Sequence, residues 1–62
     1  METIKTWLSK SYLMQYEEVA VLKNGDRLFS GNVSALRLRD NLLNMECEDP
    51  LIKNGVLTFC IK

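Results

Sequence analysis

Ile4, Trp7, Leu8, Ser11 and Tyr12 recur at three- and four-residue intervals behind Thr3. That spacing puts them on one face of an amphipathic helix, and Thr is a good N-cap. Lys5, Thr6, Ser9 and Lys10 fall on the other side. Lys10 near the far end suits the negative pole of the helix dipole. The pattern predicts a helix over about residues 3–12, with Leu13–Tyr16 as an apolar connection or one further turn.

The period then falls to two. Val19-Ala20-Val21-Leu22-Lys23 is rich in β-branched residues, and Asp26-Arg27-Leu28-Phe29-Ser30 follows across Asn24-Gly25. Asn-Gly between two such runs is the strongest short hairpin signal, because both turn positions need positive φ. A two-residue loop sets Lys23 opposite Asp26. Val19, Val21 and Leu28 then share the core face, with Ala20, Leu22 and Phe29 on the other. Gly31 ends the second strand or bends it.

Residues 32–42 read as a short helix capped by Ser34 or as a turn-rich crossover. Beyond them, Leu43, Met45 and Cys47 alternate with Asn44, Glu46 and Glu48 as a one-sided strand. Leu51-Ile52-Lys53, Asn54-Gly55 and Val56–Ile61 form a second hairpin, with Ile52 opposite Leu57. Simple pairing would set Glu48 beside Ile61, and one extra residue at Asp49-Pro50 brings Cys47 there instead. A β-bulge is expected at that point. Lys-Asn-Gly recurs in the two hairpins; shared turn chemistry explains this better than duplication. The expected architecture is α+β, one domain over residues 1–62. An N-terminal helix packs on a mostly antiparallel four-stranded sheet made of two Asn-Gly hairpins, with a short helix or crossover between them.

Thr3-Ile4-x-x-Trp7-Leu8, Val19-x-Val21, Phe29-x-Gly31-x-Val33-x-x-Leu36 and Gly55-Val56-Leu57 together span most of the chain. In these turn and core positions the sequence resembles small uncharacterised bacterial proteins of prophages and conjugative elements of Gram-positive hosts. The resemblance implies no catalytic residue and no particular activity.

Composition narrows the functions. Eight Lys+Arg balance eight Asp+Glu, and 47% of residues are hydrophobic. Zero net charge makes a poor generic binder of nucleic acid or acidic membrane. His is absent, which removes the commonest general base and metal ligand. No apolar run approaches the roughly 20 residues of a membrane span. The N-terminus lacks the basic and apolar regions of a signal peptide, and the initial Met reads as the start of a complete small gene product. Cys47 and Cys60 are too few for a disulfide framework. The expected compartment is therefore the cytoplasm, with both thiols reduced.

No catalytic site is expected. Neither cysteine has a His to activate it, and no serine sits in a Gly-x-Ser-x-Gly turn. Glu46, Glu48 and Asp49 offer oxygen ligands for a hard cation, but no calcium-loop spacing accompanies them, and a solvated face explains them better. No metal, cofactor or small-molecule substrate is inferred, and no phosphate-binding glycine loop is present. Arg37 and Arg39 form the only basic cluster and are the candidate contacts for nucleic acid.

The apolar surplus is more informative. Leu13, Met14, Tyr16, Leu22, Phe29, Leu51 and Cys60 do not all fit inside once one core is filled. Scattered surface hydrophobes are common, yet Leu22 and Phe29 beside Ala20 would form an uncovered patch. Oligomerisation is the staple still open to a domain of 62 residues without metal or disulfide. The expectation is a non-enzymatic interaction module or accessory factor of a mobile element, built on Leu22 and Phe29, with Leu13, Met14 and Tyr16 next. It is a homodimer or is bound to a protein partner. The alternative is a nucleic-acid-binding regulator using Arg37 and Arg39.

Overall fold

A computed structural model of the chain describes residues 2–61. The fold is α+β. Helix α1 (Ile4–Leu8) leads through a 3₁₀ turn (Ser11–Leu13) into strands β1 (Glu18–Lys23) and β2 (Asp26–Asn32). Two single-turn helices, α2 (Val33–Leu36) and α3 (Asp40–Leu43), precede β3 (Leu51–Lys53) and β4 (Val56–Ile61).

α1 is shorter than its periodicity suggests. Thr3 Oγ1 accepts from the Thr6 amide at 3.3 Å and starts it. Ser9 ends it, donating its hydroxyl to the Thr6 carbonyl at 2.6 Å, the local competition with the helix ladder that Ser side chains offer. Tyr12 therefore leaves the inner face and is 61% exposed. α2 is capped by Asn32, not Ser34; Asn32 Oδ1 accepts from the Ala35 amide at 3.0 Å.

The sheet runs β2-β1-β4-β3. It is mixed rather than mostly antiparallel, because β1 and β4 lie parallel at its centre. Their sequences explain the placement. Val19–Leu22 and Val56–Ile61 are almost continuously apolar, as central strands require, while the more polar β2 and the short β3 take the edges. Apolar residues on both faces of β1 reflect that central position. Both connecting turns carry positive φ, at Asn24 and Gly25 and at Asn54 and Gly55.

The first hairpin departs from simple pairing. Val21 lies opposite Phe29 but Leu22 lies opposite Arg27, so Leu28 is one residue too many in β2. This bulge reverses the expected faces. Phe29 turns inward and packs against the core, and Leu28 is 43% exposed. The Phe29 ring lies over Gly31, where a Cβ would stand 3.4 Å from it, in ordinary van der Waals contact.

Residues 43–48 do not form a strand. Leu43 closes α3, and only the single bridges Thr3–Glu46 and Cys47–Ile61 follow. Cys47 pairs with Ile61 and Leu51 with Thr58, so residues 48–50 span what 59–60 span on β4. Ile52, on the β3 edge, is 46% exposed rather than core. The core forms where the inner sheet face meets the helical layer. Val19, Val21, Leu57 and Phe59 meet Ile4, Leu8, Leu36 and Leu43 there. Among the described residues, no helix is long and apolar enough to cross a membrane.

Candidate functional site

The bulge dismantles the expected patch. Leu22 stays half-buried on the uncovered sheet face, but Phe29 points the other way. Leu13 belongs to the core and Tyr16 packs against it, while Met14 is 62% exposed. Arg37 and Arg39 also separate. Arg37 caps α2 and Arg39 precedes α3, so they do not alternate along an extended segment. Arg37 Nη2 donates to the Leu8 carbonyl at 3.4 Å. The Arg39 guanidinium lies 5.9 Å from the centre of the Phe29 ring.

The structure instead brings two distant segments together. A cleft of about 350 Å³ opens between the N-terminal helical segment and the approach to β3. Trp7 comes from α1, Tyr12 and Leu13 from the 3₁₀ turn, and Tyr16 from the entry to β1. Pro50 and Ile52 form the opposite wall. Successive tight turns hold the aromatic side in place: the amides of Leu13, Met14 and Tyr16 donate to the carbonyls of Lys10, Ser11 and Leu13. Gln15, also on the cleft, donates from Nε2 to the Tyr12 carbonyl at 3.3 Å. Trp7 and Tyr16 are anchored on the core, while Tyr12 and Ile52 form an exposed rim.

The charged residues lining the site are acidic. Asp49 is the charged residue on the cleft, and it also borders a second hollow shared with Trp7, Glu2, Glu48 and Cys47. Among the described residues neither hollow is lined by Lys or Arg. Lys10 lies 5.1 Å from the centre of the Trp7 ring and pairs with Glu2 at 3.3 Å. That is the only ion pair among the described residues, and Glu48 and Asp49 are exposed to solvent. The Cys47 thiol registers the same field. Burial first, then Cys60, Glu2 and Asp49, push its pKa up to about 11. A thiol held protonated in this way is a poor nucleophile.

The Trp7 indole nitrogen is buried and has no hydrogen-bond partner. A buried donor left without an acceptor costs about 1–3 kcal/mol. The site thus offers aromatic surface, one unmatched donor and unpaired carboxylates. Among the described residues no group of three or more metal-ligating side chains comes together. The Trp7–Asp49 convergence is long-range and invisible to local periodicity; the surplus of Leu13 and Tyr16 was its only trace in the sequence. Comparison with protein-family models, curated proteins and solved structures found no match.

Proposed function

We propose that the chain is a non-enzymatic interaction module that holds a protein partner at the cleft of Trp7, Tyr12 and Tyr16. In the setting implied by its resemblance to mobile-element proteins, it is an accessory factor. The observation carrying this reading is the cleft itself, whose anchored aromatic floor and exposed rim occur in a domain with little apolar area to spare. Aromatic side chains supply large contact area at low entropic cost, which is why they dominate binding surfaces. Self-association would use a different surface, the uncovered sheet face around Leu22. Sedimentation at tens of micromolar tests that form.

Selection from a random peptide display library tests the main reading. The wild type and a Tyr12→Ser, Ile52→Ser double variant serve as baits; both side chains are exposed, so the fold survives their loss. Peptides are expected to enrich on the wild type and not on the variant. No enrichment, or equal enrichment on both, refutes the reading. The alternative of a nucleic-acid-binding regulator draws less support, since Arg37 and Arg39 are already engaged with Leu8 and Phe29.

A further inference from the structure

Resting on the reading of the cleft as a protein-binding site, we propose that its ligand is an extended proline-rich segment carrying an arginine or lysine beside its prolines. The prolines lie against Trp7, Tyr12 and Tyr16, and the cation faces Asp49 and Glu48. Three observations lead to this chemistry.

The first is the lining. Three aromatic side chains stand together with Pro50 and Ile52 in an open cleft, not an enclosed cavity. Flat rings in an open groove suit the ridges of a polyproline II helix. That helix is extended before binding and so loses little entropy on docking.

The second is hydrogen bonding. Proline-rich backbone exposes carbonyls and lacks N–H groups at each proline. Its ideal counterpart supplies donors and asks for none. The Trp7 indole N–H is a buried donor with no acceptor, on a side chain that lines the cleft. The phenols of Tyr12 and Tyr16 supply further donors.

The third is charge. The aromatic cleft and the acidic hollow share Trp7 and Asp49, so they meet at the indole. Lys10 pairs with Glu2, while Asp49 borders both hollows and Glu48 one of them with no Lys or Arg among their described lining residues, a lining that suits a cation carried by the ligand. A cation beside the prolines satisfies both hollows at once, whereas a purely apolar peptide leaves the carboxylates unpaired. Complementary charge of this kind sets specificity.

The test follows the indole ¹H–¹⁵N resonance of Trp7, the single tryptophan of the chain, during titration with synthetic peptides. One peptide is proline-rich with two arginines at one end; a second has glutamates in their place; a third carries trimethyl-lysine without proline. The arginine peptide is expected to shift the resonance saturably below about 1 mM. Tyr12→Ala should weaken it about tenfold. Asp49→Asn with Glu48→Gln should weaken the arginine peptide several-fold and leave an uncharged proline peptide unchanged. Equal binding of the glutamate peptide, or tighter binding of trimethyl-lysine, overturns the proposal. If the arginine peptide leaves Trp7 unmoved but a peptide selected by display moves it, this inference fails and the interaction reading stands. If no peptide moves it, both fail.

Discussion

The bulge at Leu28 makes two neighbouring residues exchange roles, and substitution separates the two registers. Simple hairpin pairing puts Leu28 in the core and Phe29 in water. The observed register does the reverse. Complete burial makes a Phe→Ala change cost about 3–5 kcal/mol. Phe29 is half-buried on the core, so Phe29→Ala is expected to cost about 2 kcal/mol. That is a large share of the roughly 3–9 kcal/mol available to a chain of this size, and it lowers Tm by roughly 15 °C. Leu28→Ser, at a site 43% exposed, should stay within about 0.5 kcal/mol.

Urea titration followed by far-UV circular dichroism measures both variants, with an unchanged m-value as the check that unfolding stays two-state. A double-mutant cycle adds the ring's own partner. Arg39→Gln should cost at most about 0.5 kcal/mol in the wild type, the value of an exposed cation–π contact. It should cost nothing once Phe29 is Ala. A larger loss from Leu28→Ser than from Phe29→Ala would refute the bulged register, and with it the placement of Leu22 and Phe29 on opposite faces of the sheet.

Gly25→Ala and Gly55→Ala should each lose about 1–2 kcal/mol in the same titration, since φ is +83° and +79° with open space around the missing Cβ and the cost is conformational alone. Losses near zero at both sites would remove the two-residue turns. Cys60 should react with a thiol reagent in the native protein well before the buried Cys47; simultaneous reaction would contradict the placement of Cys47. Cys47 also sets a pH dependence: the native thiol keeps its proton, with a pKa near 11, where the unfolded thiol releases its own near 9.0. Its contribution to stability is therefore intact below pH 9.0 and lost as pH rises toward 11, and Cys47→Ala should flatten the stability profile over that window.

The α+β class was legible because the apolar period changes from a helical spacing at Ile4–Leu8 to alternation around two Asn-Gly pairs. The phase change before β3 was legible for a similar reason. Two alternating runs had to meet, and only an extra residue between Cys47 and Leu51 lets Cys47 face Ile61. Nothing comparable marks Leu28. Leu28 and Phe29 are adjacent and both apolar, so either register buries one of them. The choice falls to packing: Phe29, the larger side chain, packs against the core. The parallel pairing of β1 with β4 was equally hidden, because alternation within a hairpin says nothing of which strand the next hairpin joins. The cleft suffers most from this limit. Its two walls lie far apart in sequence, and no local pattern links Trp7 to Asp49 and Pro50.

The helical layer covers the inner sheet face but leaves a cleft open at its edge. α1 ends at Leu8 because Ser9 takes the Thr6 carbonyl. The chain must then turn through Ser11–Leu13 to reach β1, and that turn holds Tyr12 outside the core. Had the helix run on to Tyr12, its ring would have stayed on the face shared by Ile4 and Leu8, and the cleft would have lost its rim. Trp7, inside α1, lies at the margin of the core with its indole N–H unmatched. Trp7 and Tyr16 pack against the core, so the cost in stability at this margin falls on the unmatched indole N–H. A partner that covers the rings and supplies an acceptor to the indole removes that cost. The local rule that shortens α1 thus leaves Tyr12 at the exposed rim of the cleft.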